Sequence, residues 1–338
     1  MDEIPNTWSE ARSLLRAVLR PVVAPQAVWR AAAINPDKAV VRREFLPFLH
    51  QLLVVDRELL RKFVPVSRLP QWAASESLAF SQAYANQSPT EGIERRPDGI
   101  WEVRGPDAAS RLLLPGWLSF FRGKVSGTPL VALPETTTLF IGGDGSTEWR
   151  QELVRLAAVG WREAEHPLSP MLYSIDPKGT VIPWSPAPQD GSHAWVSATR
   201  CAFAQACYEG LGELIEDLYS LPSIASRWNL GEAFRVGSVE VAVGPDDAHG
   251  NPTPYTFTRW RPDTSVIPEV DVVVLARPDD KAMIAVPWSA FDSVFSKERP
   301  RLDGLPLALW PVANWASALE RLRPFALDPT TLAAKDDE

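Results

Sequence analysis

The sequence contains few cysteines and histidines, the residue types that often act as nucleophiles, general bases or metal ligands. Its 338 residues include two cysteines and four histidines. Cys201 and Cys207 lie in a segment with helical spacing, which places them on different faces and too far apart along the axis for a disulfide. We interpret both as small apolar core residues of a protein from a reducing compartment.

Long apolar runs are also absent. No run reaches the roughly 18 residues that a membrane span needs, and the start Met-Asp-Glu-Ile-Pro has no basic segment or cleavage site of an export signal. We therefore expect a cytoplasmic protein with no membrane span. The hydrophobic fraction of 45% in a chain of this length predicts two domains, each with its own core.

Charge is unevenly distributed along the chain. The net charge is -8, yet residues 1–68 hold 11 Lys and Arg against 7 Asp and Glu. An acidic body argues against nucleic acid as a partner, whereas a basic arm could meet an acidic protein or the body of its own chain. The chain is also rich in proline and tryptophan, with 32 and 14 residues, which is typical of a rigid, loop-rich protein.

Within the basic arm, residues 10–20 predict an amphipathic helix. Leu14, Leu15, Val18 and Leu19 share one face of this helix, and arginines share another. The basic face has two interpretations: the solvated side of a docking helix, or a surface for a partner or a membrane surface. Pro21 ends this helix, and a second helix is predicted before Asn35-Pro36.

The remaining elements predict an α+β fold with two mixed or antiparallel sheets, each packed with helices, plus the N-terminal helices. We divide the chain into an N-terminal helical segment (1–40), a first α+β domain (41–188), a second α+β domain (189–327) and a disordered tail (328–338). The proline-rich stretch 186–192 supplies the boundary. Predicted helices are 69–86, 108–122, 147–164, 194–221, 287–295 and 314–323, and predicted strands are 44–55, 59–66, 128–133, 138–142, 171–175, 180–183, 235–243, 253–260, 270–276 and 282–286.

The glycine-rich turn 142–145 has two interpretations. Such a turn before a helix can hold phosphate, but Gly-Lys-Ser/Thr and the dinucleotide spacing of glycines are absent. A turn that caps the next helix through Ser146 or Thr147 explains the same residues without a ligand. We therefore predict no cofactor here.

His166 is the best-placed histidine for chemistry. It follows the predicted helix 147–164 beside two glutamates, so it could serve as a general base, or it could cap the helix C-terminus. If the protein is a hydrolase, His166 should lie in a concave pocket within hydrogen-bond reach of Asp107, Arg111 or Glu135. No His-Glu-x-x-His pattern or second nearby histidine occurs, so we predict no metal site.

Four segments of the chain occur in an order and spacing that are also found in a known family. They are Asp107 to Leu112, Leu130-Val-Ala-Leu-Pro, Leu139-Phe-Ile and Pro167-Leu-Ser-Pro-Met-Leu-Tyr. Through them the chain, over roughly residues 45–185, resembles the YtpQ-like bacterial family, domain of unknown function 1444. Two departures are an extra Ala between Asp107 and Ser110 and Thr137 where family members tend to carry an Asp. The resemblance implies a bacterial cytoplasmic setting and a similar fold, but no activity.

These observations favour a non-enzymatic adaptor whose surface binds another protein. The alternative is a hydrolase that acts through scattered carboxylates and His166. We expect a protein partner and no nucleic acid, and we leave a homo-oligomer open.

Overall fold

The computed structural model describes residues 4–24, 26–57, 60–187, 189–230, 234–279, 281–295, 302 and 305–328. The chain divides into two compact units, Met1–Ser185 and Pro186–Glu338. The division falls at the start of the proline-rich stretch 186–192. The segment 1–40 belongs to the first unit, and residues 329–338, most of the predicted disordered tail, lie outside the described ranges.

Both helices and strands build the first unit. Its helices are α1 (Trp8–Ala11), α2 (Gln26–Ile34), α3 (Arg68–Gln71), α4 (Glu76–Ala85) and α5 (Thr147–Glu163). Its strands are β1 (Leu15–Pro21), β2 (Arg42–Leu46), β3 (Leu49–Arg57), β4 (Leu60–Phe63), β5 (Ile93–Arg95), β6 (Trp101–Arg104), β7 (Pro129–Ala132), β8 (Thr138–Gly143), β9 (Leu172–Ile175) and β10 (Val181–Pro183).

The first sheet of this unit is antiparallel and is centred on β3. On one side β3 pairs with β1, and on the other it pairs in succession with β2 and β4. The prediction of a helix over residues 10–20 is wrong, because α1 ends at Ala11 and β1 begins at Leu15. Strand β1 is largely buried, so the leucines that share a helical face also satisfy a strand with both faces covered.

Side chains rather than another strand cover the outer edge of β1. The side-chain amide of Asn86 donates to the carbonyl of Leu15 at 2.9 Å, and that of Gln87 donates to the carbonyl of Ala17. The Leu19 amide donates to the Ser110 hydroxyl at 2.9 Å. An edge strand whose polar backbone is satisfied in this way is closed to further pairing.

The second sheet of the first unit has the strand order β10-β9-β7-β8-β6-β5, and all neighbours are antiparallel. The predicted strand pair and hairpin, now β7 with β8 and β9 with β10, are confirmed. The predicted helix 108–122 is wrong: two 3₁₀ turns, Ala108–Leu113 and Leu118–Phe121, occupy this segment. Pro115 and Gly116 separate the turns, and Gly116 has a φ of +72°, which interrupts a helix.

The glycine-rich turn 142–145 packs against the preceding turn at 126–128. The Asp144 carboxylate accepts a hydrogen bond of 2.7 Å from the Thr128 amide. The Ser146 hydroxyl accepts from the Trp149 amide and thereby caps α5, as the capping interpretation predicts. These contacts give every polar group named here a protein partner, which accounts for the turn without phosphate.

The second unit contains α6 (His193–Tyr219), α7 (Pro222–Trp228), β11 (Glu240–Gly244), β12 (Thr253–Trp260), β13 (Val266–Pro268), β14 (Val272–Ala276), β15 (Ala282–Pro287), α8 (Trp288–Phe295), β16 (Leu309–Pro311) and α9 (Trp315–Leu322). Strands β11, β12, β14 and β15 form a mixed sheet in that order, in which β12 and β14 are parallel. Strands β13 and β16 form an antiparallel pair. The predicted α+β class is therefore confirmed, although the described residues of each unit form two sheets rather than the one predicted.

An ion pair fastens α6 to the sheet of the second unit. Arg200 donates two hydrogen bonds to the Asp271 carboxylate, at 3.1 and 3.0 Å, and the Thr256 amide and hydroxyl donate to the same carboxylate at 2.8 Å. Burial opposes ionisation of Asp271, but the hydrogen bonds from Arg200 and Thr256 hold its pKa below the ordinary value. The carboxylate is therefore charged, and its acceptor capacity is used inside the protein.

Replacement of Gly143 by Ala is expected to destabilise the protein by about 1–3 kcal/mol. A Cβ atom at this position would lie 2.0 Å from the backbone oxygen of Ser126, so the two packed turns would have to separate. Urea unfolding of both proteins measures the difference in the free energy of unfolding.

Gly212→Ala is the control for that substitution. Nothing lies within 4 Å of a Cβ at Gly212, which is inside α6, so alanine should leave the stability unchanged or raise it by up to about 1 kcal/mol. Equal losses for the two variants would contradict the packing argument.

Candidate functional site

The catalytic group expected for a hydrolase is not assembled around His166. Its side chain is 68% exposed, and the nearest charged group is the exposed Glu165 carboxylate at 4.0 Å. Across the described ranges, no hydrogen bond or ion pair joins the His166 ring to Asp107, Arg111 or Glu135. The backbone does bring these segments together, since Thr136 donates to the His166 carbonyl at 3.3 Å and accepts from Ala109 at 3.2 Å.

The Asp107 carboxylate is held by two arginines of the first sheet. Arg20 Nη2 donates to Asp107 Oδ1 at 2.8 Å, and Arg61 donates to Asp107 Oδ2. Arg61 Nε also donates to Asp56 at 2.7 Å. Burial, together with the charge of Arg61, lowers the pKa of Arg20 to about 10. Asp107 therefore joins the 3₁₀ turn 108–113 to β1 and β4, and its lone pairs face arginines rather than a reacting group.

Arg111 and Glu135 occupy separate places in the same region. The Arg111 side chain is buried, and its Nη1 has no hydrogen-bond partner among the described residues. Burial lowers the pKa of Arg111, although the charge of Glu91 opposes this effect. Glu135 forms an isolated β-bridge with Pro167. These residues thus lie in the region where the alternative, a hydrolase, would place its site, but no hydrogen bond or ion pair joins their side chains in the described part of the chain.

Both cysteine thiols are buried and free of disulfides. Burial raises the pKa of Cys201 to about 11 and raises that of Cys207 further. A thiol with a raised pKa stays protonated near neutral pH and is a weak nucleophile. The two residues therefore act as core side chains of α6, as their spacing predicts.

A polar cluster that the sequence did not reveal lies on the first sheet. It consists of Trp29 from α2, Arg42 from β2 and His50 from β3. The rings of Trp29 and His50 are 6.1 Å apart and nearly perpendicular, and Arg42 Cζ lies 4.9 Å from the centre of the Trp29 ring. In strand register, His50 stands between Arg20 and Glu44. We refer to Trp29, Arg42 and His50 as the indole-imidazole cluster.

Two polar atoms of the indole-imidazole cluster are buried and unsatisfied. Trp29 is 1% exposed and His50 is 6% exposed. Trp29 Nε1 and His50 Nδ1 have no hydrogen-bond partner in the described part of the protein. Burial, followed by the charge of Arg42, lowers the pKa of His50 to about 4, so the ring is neutral at pH 7. The one sequence signal for the cluster is the polar pair His50-Gln51 inside an otherwise apolar strand.

A second surface is the free edge of the sheet in the second unit. Strand β11 ends the strand order, and within the described ranges its one strand neighbour is β12. Val241 and Val243 are 39% and 47% exposed on this strand. At the opposite end of the sheet, the Leu327 amide donates to the Ala285 carbonyl of β15 at 2.8 Å. Strand β11 is therefore the more open of the two edges.

The free energy of unfolding is expected to fall between pH 6.5 and 4 because of His50. The folded-state pKa is about 4, whereas the unfolded chain has the ordinary value near 6.5. In this window the unfolded chain binds a proton at His50 and the folded chain does not, so stability decreases as the pH falls. Because of His50, the free energy of unfolding below pH 4 is expected to be about 3 kcal/mol lower than its value above pH 6.5.

Urea unfolding at pH 7 and pH 4.5 tests this pH dependence. His50→Gln removes the titrating group, so the variant should lose less stability than the unmodified protein over the same interval. His166→Gln removes an exposed ring and serves as the control. The same pH dependence in all three proteins would contradict the assignment to His50.

Asp107→Asn should lower the free energy of unfolding by about 1.5–3 kcal/mol, because the two arginines lose their charged acceptor. Asn tolerates the left-handed backbone of this position, where φ is +52°, so the substitution isolates the loss of charge. The control is Asp263→Asn, which breaks an exposed ion pair with Arg235 and should cost less than about 1 kcal/mol. A loss at Asp107 no larger than at Asp263 would show that Arg20 and Arg61 do not depend on it.

Among the described residues, no helix is long and apolar enough to cross a membrane, and no three His, Cys, Asp or Glu side chains gather closely enough to hold a metal ion. The indole-imidazole cluster and the edge of β11 are two features of the described residues to which a function can be attached. No family model, curated protein or solved structure matches the chain.

Proposed function

We propose that this protein is a non-enzymatic adaptor that binds another protein. The binding surface is the edge of β11, and the partner contributes an extended segment that pairs with this strand. The observation that carries the proposal is the exposure of Val241 and Val243 on a strand with an open side. Backbone hydrogen bonds would supply affinity in such a complex, and the side chains would supply specificity.

Exposed β-branched residues on an edge strand are unusual for a surface that faces only water. Edge strands normally carry charged residues or bulges, or are covered, because an open apolar edge pairs with other chains. In the first unit, the edge of β1 is covered by three side-chain hydrogen bonds. The contrast with β11 supports a binding role for the second edge.

The charge around β11 favours a basic partner segment. Asp246 and Asp247 follow the strand after Pro245, and Asp246 is exposed. Hydrogen bonds from the Asn251 backbone and side chain and from the His249 backbone lower the pKa of Asp247, so its carboxylate is ionised. A second copy of this chain, with its net charge of -8, would bring like charges together. We therefore propose a different protein, with lysine or arginine next to an apolar extended segment.

The same proposal includes a bacterial cytoplasmic setting and kinship with the YtpQ-like family. The kinship rests on the sequence resemblance over roughly residues 45–185. The resemblance lies outside β11, so partner binding by the second unit is independent of it.

Photocross-linking in the source organism tests the binding surface. A photoreactive phenylalanine at position 243 should form a covalent link to one partner protein, and the linked peptide should come from an extended segment with basic residues. Val243→Lys should reduce recovery of that partner at least tenfold, because a charge replaces an apolar contact and repels the basic segment.

Position 66 provides the matched control. Val66 is 48% exposed, nearly the same as Val243, but lies outside β11. The photoreactive residue at 66 should not capture the partner, and Val66→Lys should leave its recovery unchanged. Cross-links from position 243 only to a second copy of the chain would contradict an adaptor role, as would equal effects of the two lysine substitutions.

A further inference from the structure

The indole-imidazole cluster leaves two buried polar groups without partners. A buried donor or acceptor that makes no hydrogen bond has lost its hydration without compensation, and native proteins rarely tolerate two such groups side by side. Trp29 and His50 come from different elements, α2 and β3, yet their rings lie 6.1 Å apart. Their placement therefore calls for a third group that satisfies both.

The chemistry of the side chains specifies what that group must be. The indole nitrogen of Trp29 can only donate a hydrogen bond, so its partner must be an acceptor. The neutral ring of His50 donates from Nδ1 in one of its two tautomers. Arg42 is a permanent cation that lies over the Trp29 ring at 4.9 Å. Two donors beside a cation match an oxyanion.

We propose that Trp29, Arg42 and His50 form a binding site for a small oxyanion, either a carboxylate or a phosphate group. One oxygen of the ligand accepts from Trp29 Nε1, another accepts from His50 Nδ1, and Arg42 supplies positive charge. Trp29 Nε1 and His50 Nδ1 are buried, whereas Arg42 is only partly buried, so an entering ion would reach the cluster past the Arg42 side chain.

The charged neighbours of the cluster set the affinity of the site. Arg20 faces His50 from β1, but its charge is engaged by Asp107 at 2.8 Å. Glu44 faces His50 from β2 and acts electrostatically on Arg42. Glu44 is therefore the carboxylate that opposes an entering anion. Substitutions at Trp29 and Glu44 should then change the affinity in opposite directions.

Nuclear magnetic resonance of the full chain with ¹⁵N-labelled histidine tests the site. The chain has four histidines, so the ring signals of His50 can be followed separately from the other three. Sodium phosphate and sodium formate are titrated at pH 7, with sodium chloride at matched ionic strength as the reference. A saturable shift of the His50 ring nitrogens is expected, while the signals of His166, His193 and His249 stay in place.

The variants separate binding from a purely structural role. Trp29→Phe removes one donor and should weaken binding about tenfold or more. Glu44→Gln removes the opposing charge and should tighten binding severalfold. Trp101→Phe is the matched control, because Trp101 Nε1 is also buried without a partner among the described residues but belongs to the other sheet. This control should bind as tightly as the unmodified protein.

Each outcome decides the proposal. A response to phosphate alone identifies a phosphate ligand, and a response to formate alone identifies a carboxylate; either result supports the site. Unchanged His50 signals with both ions overturn it and leave a buried water as the partner of the two rings. If Trp29→Phe does not fold, Glu44→Gln and the unmodified protein still decide, since equal affinities of these two proteins would also overturn the proposed arrangement.

Discussion

The first unit depends on how the outer edge of β1 is closed. Strand β1 belongs to the first sheet, and the side chains that bond to its edge come from the segments after α4 and after β6. The Asp107 carboxylate adds ion pairs to Arg20 and Arg61 at the same junction. Buried backbone groups must find partners, so these side chains both satisfy β1 and attach the second sheet to the first. The site residue predicted at Asp107 is for this reason a structural one.

In the second unit, the edges of the sheet are covered less completely. Its mixed sheet is fastened to α6 through Arg200 and Asp271, and one of its edges is partly covered by the Leu327 backbone. The edge at β11 keeps Val241 and Val243 exposed. The two units thus differ in what covers an edge strand. Side chains from its own chain cover the first, whereas the proposed adaptor function assigns a partner to the second.

Much of the fold followed from local patterns. The strand pair β7 and β8, the hairpin β9 and β10, and the helices α5 and α6 were predicted because each combines a clear period with capping or turn residues at its ends. The prediction of a helix over residues 10–20 was wrong because the same leucines and arginines fit both a helical face and a largely buried strand. Local spacing cannot distinguish these two structures. The prediction of a helix over residues 108–122 was wrong because Pro115 and Gly116 interrupt an otherwise helical composition.

The sequence by itself determined the α+β class, the cap at Ser146 and the core role of both cysteines, since these depend on residue type and short-range spacing. Only the tertiary structure decided which polar residues meet. It separated the His166 ring from Asp107, Arg111 and Glu135, engaged Asp107 with Arg20 and Arg61, and brought Trp29 next to His50. Such contacts join residues far apart in the chain, and their geometry depends on strand register and packing, which no local pattern encodes.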